Sequence, residues 1–364
     1  MKISDLDTPA VLIDLDTMER NLARMADYCR AHHLALRPHT KTHKVPELAH
    51  RQVRLGACGI TVAKVGEAEV MAAAGLEDIL VAYPVVGPLK TERLARVARR
   101  ARVTVGVDSW EAAEGISQAA AAGGVTIGLL LEINTGYNRC GVPIGTGAVD
   151  LARRISELPG IRFRGVMVYP GYFLTGPEKH KEMVSSEVAR LREIVDLFQQ
   201  AGVAIEVFSG GSTPSAFLTE KLPGVNEIRP GTYIYNDMNT VGTGACKLED
   251  CAACVLVTVV STAVAGRAMV DGGSKTFSSD LLRTGAAAGY GRIVEDPAAL
   301  LARFNEEHGH LDISGSSRKY QVGERLRVIP NHVCTMINMH DEVYGVRGEN
   351  VEVVWKVEGR GKLR

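Results

Sequence analysis

The sequence predicts an α/β protein: a (β/α)8 barrel joined to a C-terminal β-rich domain. Three observations point there. Short apolar runs alternate with Ala/Glu/Arg-rich stretches from residue 16 to 235, as in repeated βα units. After residue 245 the alternation stops and β-type segments take over. The polar motifs fall where the apolar runs end, and barrel chemistry sits at the carboxyl ends of strands.

Segment 16–33 opens at Asp16 and Thr17 and carries Met18, Leu22, Met25 and Cys29 near helical spacing, so it reads as an amphipathic helix. Eight strand-like runs follow: LALRP (34–38), GITVA (59–63), ILVAY (79–83), VTVGV (103–107), IGLLLEI (127–133), RGVMVY (164–169), IEVFS (205–209) and NEIRP (226–230). Stretches 88–101, 109–122, 147–157 and 178–201 read as crossover helices. A doubly wound open sheet uses the same alternation, but eight units suit a closed barrel. CAACVLVTVVSTAV, RAMVDGG, KYQVGERLRVIP and NVEVVWKVEG then read as strands of a second domain, with a boundary at 240–246. No internal repeat or low-complexity tract is visible.

Composition narrows the function. The chain has 364 residues, with 42 Lys plus Arg against 42 Asp plus Glu. A neutral chain lacks the basic footprint of nucleic-acid binding. No window holds the roughly 18 apolar residues of a membrane helix, and MKISDLDTPA has no signal-peptide core. Seven scattered cysteines suggest reduced thiols in a cytoplasm rather than a disulfide framework. A small-molecule enzyme is the expectation.

LRPHTKTHK (36–44) leaves the first strand with two histidines and two lysines. If the strand continues to residue 41, Arg37, His39 and Lys41 share a face and Lys44 points elsewhere. Asn134, Tyr137 and Arg139 follow the fifth strand, and Tyr169 ends the sixth. SGGSTPS (209–215) follows the seventh, and RPGTYIYND (229–237) the eighth. A glycine-rich turn entering a helix can hold a phosphate on its N–H groups. Barrel phosphate sites commonly form after strands seven and eight, which makes Ser209, Gly210, Gly211, Ser212, Thr213, Gly231, Thr232 and Tyr233 candidates. A phosphate facing a lysine suggests pyridoxal 5'-phosphate, whose aldehyde needs an amine made nucleophilic by desolvation. In PNHVCTMIN (330–338), His332 and Cys334 lie two apart, on one strand face roughly 7 Å apart. Imidazole plus thiolate suits zinc, in an open site completed by water or substrate. Cys251 and Cys254 lie in an apolar β run and read as packing, as do Trp110 and Trp355.

The order RPHTKTHK, INTGYNRCGV, SGGSTPS, EIRPGTYIYND and PNHVC, with DTPAVLIDLD at the start, resembles the D-threonine aldolase and D-serine dehydratase family along nearly the whole chain. The resemblance implies an alanine-racemase-like architecture: a barrel over 14–243, with 1–13 and 244–364 in the β domain. It implies that Lys41 carries pyridoxal phosphate, that Arg139 faces its phenolic oxygen and that Tyr169 lies beside it. His332 and Cys334 would hold a divalent metal, zinc or manganese. Arg37 and His39 would form the surroundings of Lys41. H-x-C is the dehydratase pattern and H-x-D that of the best-known aldolases, while Asn134 replaces a common Asp. The implied reaction is a lyase reaction on β-hydroxy-D-amino acids, retro-aldol to glycine and an aldehyde, with dehydration or racemisation as alternatives. A homodimer is implied, with DGGSKTFSSD (271–280) as a lining segment across the interface.

Overall fold

A computed structural model describes residues 1–170, 176–283 and 289–364. The first strand, β1 (Ala10–Asp14), leads directly into α1 (Leu15–Ala31), where the Asp14 carboxylate caps the helix by accepting the Thr17 N–H at 2.7 Å. Met18, Leu22, Met25 and Cys29 are buried along one face of α1, as their spacing predicts. There follow β2 (Ala35–Leu36), α2 (Pro46–Arg54), β3 (Ile60–Val62), α3 (Val65–Ala73), β4 (Asp78–Val81), α4 (Pro88–Ala98), β5 (Arg102–Val107), α5 (Trp110–Gly123) and β6 (Ile127–Asn134). A short β7 (Val142–Pro143) pairs with β6. Then come α6 (Thr146–Ser156), β8 (Ile161–Met167), α7 (His180–Gln200), β9 (Val207–Gly210), β10 (Glu227–Ile228) and α8 (Met238–Gly242).

Eight of these strands pair in parallel in the order β2-β10-β9-β8-β6-β5-β4-β3. A bridge between His39 and Thr61 then joins β2 back to β3, with the Thr61 N–H on Pro38 O at 2.8 Å. The strands thus close into the expected barrel. β8 bulges where it passes β6: Gly165 has φ +134°, and a Cβ there would meet Val207 O of β9 at 2.3 Å, so glycine is needed for the approach.

The second sheet contains β11 (Ala253–Ser261), β12 (Arg267–Val270), β13 (Gly291–Ile293), β14 (Leu300–Phe304), β15 (Gly309–Asp312), β16 (Arg325–Pro330), β17 (Glu342–Arg347) and β18 (Asn350–Lys356). Its order is β12-β15-β14-β13-β16-β11-β1-β17-β18, and β11 also pairs with β12, closing six strands into an antiparallel barrel. β1 extends it, antiparallel to β11 and parallel to β17. Short helices α9 (Ser274–Phe277) and α10 (Val333–Ile337) complete the chain. One core runs through both parts, from Val11, Ile13 and Val333 to Val105 and Leu131. Among the described residues, no helix is long and apolar enough to cross a membrane.

Two local expectations are corrected. His332 and Cys334 do not share a strand. β16 ends at Pro330, His332 is the N-cap of α10 and Cys334 is in its first turn. The Val333 N–H donates to the buried Asp237 carboxylate at 3.1 Å, and that distant acceptor turns the chain into a helix. Cys251 lies outside β11, beside Cys246 rather than Cys254. Trp355 is buried beneath the Arg51 guanidinium, and Arg154 covers Trp110.

Candidate active site

The carboxyl ends of the barrel strands open into a cavity of about 560 Å³. Its wall includes Lys41, Arg139, Tyr169, Gly211, Ser212, Thr213, Gly231, Thr232, His332 and Cys334. Motifs nearly 300 residues apart in the chain therefore converge on one space.

Lys41 lies in a turn just after the His39 bridge. Burial pushes its ammonium pKa down, and Arg139 and Arg229 add to that, against the opposing pull of Cys334. A lysine so placed loses its proton more readily and becomes a nucleophile. His39 is buried beside it and held well below its usual pKa by desolvation and by Lys41, so it stays neutral. Lys44 is elsewhere: its Nζ pairs with Glu67 at 2.6 Å in a buried site. Arg37 keeps the face that alternation gives it but not the neighbourhood of Lys41. Its guanidinium is buried between Glu227 (2.6 Å) and Asp78 (2.7 Å), off the cavity wall.

Asn134 accepts the N–H groups of Gly136 (2.9 Å) and Asn138 (3.1 Å). This Asx-type turn presents Tyr137 and Arg139. The carboxylate beside Arg139 is Glu132, at 3.8 Å, so Asn134 shapes the loop. The Arg139 guanidinium lies 4.2 Å over the Tyr169 ring, which meets Tyr137 edge-on at 5.3 Å.

The two glycine turns face the cavity together. Ser212 caps a 3-10 helix, Thr213–Lys221, with its N–H on Ser215 Oγ at 2.9 Å. Among the described residues, no protein acceptor takes the N–H of Thr213, Gly231 or Thr232. A Cβ on Gly231 would come within 2.9 Å of both His39 O and Thr42 Oγ1, so glycine lets this turn abut the Lys41 turn. Free N–H groups on small residues suit a phosphate. Ser209, Gly210 and Tyr233, expected to bind the cofactor, do not line the cavity. The Ser209 hydroxyl donates to Glu227 and accepts from Arg229, Gly210 packs on Val168 and Val225, and the Tyr233 hydroxyl accepts from Gln52.

His332 Nδ1 lies 3.1 Å from Asp237 Oδ2, a fully buried carboxylate. That acceptor favours a proton on Nδ1 and leaves the other ring nitrogen to Cys334, the usual support for a metal-binding histidine. Burial disfavours the imidazolium, but Cys334 and Asp237 outweigh it and raise the pKa. Burial likewise pushes the Cys334 thiol up, and His332, Lys41 and Thr42 reverse this and bring it down. Thr42 Oγ1 is 3.1 Å from Cys334 Sγ. Among the described residues, no three His, Cys, Asp or Glu side chains are grouped to enclose an ion. The pair suits an open site, where a bound metal would take the place of the shared proton.

Four charged wall residues were not singled out from the sequence: Glu132, Arg229, Asp237 and Arg283. Each had a signal. Glu132 is the lone acid in an apolar strand, Arg229 and Asp237 bracket the RPGTYIYND motif, and Arg283 shortly follows DGGSKTFSSD. Burial pushes Glu132 up and Arg229 down.

Comparison with known proteins agrees with this arrangement. Residues 13–239 match the alanine racemase N-terminal domain, and residues 252–346 a serine dehydratase domain. D-threonine aldolase from Arthrobacter sp. is 34% identical over 100% of this chain and 95% of its own. D-threo-3-hydroxyaspartate dehydratase from Delftia sp. (strain HT23) is 36% identical over 90% and 91% of the two chains. The crystal structure of D-threonine aldolase from Filomicrobium marinum superposes with a TM-score of 0.93 at 35% identity, covering 100% of this chain and 98% of that one. With both domains matched on one chain and similarity along its whole length, this protein belongs to the D-threonine aldolase and D-serine dehydratase family of lyases.

Proposed function

We propose that the protein is a pyridoxal-phosphate- and divalent-metal-dependent lyase that cleaves β-hydroxy-D-amino acids to glycine and an aldehyde. One observation carries this reading: a desolvated lysine, Lys41, and a carboxylate-supported imidazole–thiolate pair, His332 and Cys334, face one cavity. When bound, pyridoxal phosphate supplies an aldehyde for Lys41 and an electron sink for the bond that breaks, and a zinc or manganese ion supplies a Lewis acid. Gly211, Ser212, Thr213, Gly231 and Thr232 would hold the phosphate. Arg139 and Tyr169 would flank the ring, and His332 and Cys334 the metal.

The chain's own groups then divide the work. Lys41 would yield its place on the cofactor to the substrate's amine and, as a free amine, could then take up a proton. His332 and Cys334 orient the β-hydroxyl side of the substrate, and Asp237 keeps the His332 lone pair inward. Glu132 balances the charge of Arg139. Dehydration to a keto acid and ammonia uses the same groups and is the second reading, favoured by the thiolate at residue 334 in place of a carboxylate. We further propose a homodimer. Within one chain, 271–280 is committed to its own fold, with Thr276 and Phe277 buried and Asp280 on the Thr335 hydroxyl.

Turnover of D-threonine by protein loaded with pyridoxal phosphate and manganese tests the function. A chelator should abolish it while the cofactor's visible absorbance remains, and metal should restore it. Conversion to the L-isomer with no loss of amino acid would replace this reading with racemisation.

A further inference from the structure

We propose that Arg283 determines specificity by binding a carboxylate on the substrate's β-carbon, so that 3-hydroxy-D-amino diacids of the hydroxyaspartate type are preferred over D-threonine. This rests on the lyase reading above. Among the described residues, the cavity wall carries four long cationic side chains: Lys41, Arg139, Arg229 and Arg283. Lys41 is committed to the cofactor. Arg229 is buried, donating to Ser209 Oγ at 2.5 Å and Val168 O at 2.8 Å. Arg139 has Glu132 beside it and Tyr169 beneath it. The Arg283 side chain makes no ion pair or hydrogen bond with any described residue; only its backbone N–H is engaged, on Asn239 Oδ1 at 2.8 Å.

That bond fixes which side of the cavity Arg283 occupies. Asn239 is in α8, whose N-cap Asp237 holds His332. The same Asn239 donates its amide to Asn331 O at 2.8 Å, and Asn331 immediately precedes His332. One short helix therefore brackets both Arg283 and the His332–Cys334 pair. If that pair grips the β-hydroxyl, the other substituent on the β-carbon lies toward Arg283. The neighbouring acid, Asp280, feels Arg283 through space but makes its hydrogen bonds with the hydroxyls of Ser278 (2.7 Å) and Thr335. A methyl group gains nothing from a guanidinium, whereas a carboxylate makes a charge-assisted, bidentate contact.

The test compares kcat/KM for D-threo-3-hydroxyaspartate and D-threonine in holoenzyme with pyridoxal phosphate and manganese. The wild type should favour the diacid. The ratio should fall at least fivefold in Arg283→Ala and recover in part in Arg283→Lys. A smaller fall, or equal loss on both substrates, overturns the assignment; equal loss places Arg283 on the α-carboxylate. A second readout needs no cleavage: titration of the cofactor absorbance with D-aspartate and D-alanine. Preference for D-aspartate should vanish in Arg283→Ala. If it does while neither hydroxy acid is cleaved, the lyase reading fails and this inference stands. If D-threonine is cleaved with no Arg283-dependent preference, the reverse holds.

Discussion

Asp237 holds His332, one of the two proposed metal ligands, and Asp237→Asn isolates that role. The carboxylate is fully buried and divides its oxygens. Oδ1 accepts from Thr240 N at 2.8 Å, capping α8, while Oδ2 accepts from His332 Nδ1 and Val333 N, each at 3.1 Å. Asparagine keeps the Oδ1 contacts and the volume but puts an NH2 where Oδ2 was. Two donors then face it. The Val333 N–H is left unpaired, which costs about 1–3 kcal/mol of stability. His332 turns Nδ1 into an acceptor, so Nε2 carries the proton and no longer offers a lone pair. Loss of such support lowers metal affinity roughly 10–100-fold, or about 1.4–2.8 kcal/mol. Chelator competition on cofactor-loaded protein measures the metal affinity, and denaturant unfolding without metal measures the stability. Metal affinity within twofold of wild type would refute the argument, because His332 would then not depend on Asp237 for its lone pair.

Borohydride reduction of cofactor-loaded protein should label Lys41; peptide mapping that finds the label on Lys44 would reassign the lysine. Glu67→Gln should destabilise the fold by about 3–5 kcal/mol, since it removes the buried carboxylate paired with Lys44 and leaves the Lys44 Nζ with Gly359 O at 3.4 Å, and denaturant unfolding reads this directly. Burial raises the Glu187 carboxyl from 4.5 to about 7, opposed by Thr135 and Arg190. The folded state then holds that proton more tightly than the unfolded chain, so its contribution is full below pH 4.5 and declines as pH rises through 7. At 1.36 kcal/mol per unit the loss is about 3 kcal/mol at most, and Glu187→Gln should flatten this part of the stability–pH curve.

Long periodic elements were legible in the sequence because their own residues decide them. The buried stripe of α1 and the apolar run of β6 are examples. Alternation from Arg37 through His39 also separates Lys41 from Lys44, although β2 itself ends at Leu36, because the bridge to Thr61 carries the extended register onward. The strands β13, β14 and β15 are only three to five residues long, too short for a pattern to emerge. The α10 turn was illegible for another reason: its cause, Asp237, is 96 residues away in the chain. Glu132 and Asp237 matter through Arg139 and His332, and a single sequence does not show which acid meets which base.

The most direct measurement is the product balance from D-phenylserine with pyridoxal phosphate and manganese. Benzaldehyde and glycine are expected in equal amounts, with L-phenylserine inert. Phenylpyruvate and ammonia in equal amounts, without glycine, would contradict this and make the protein a dehydratase.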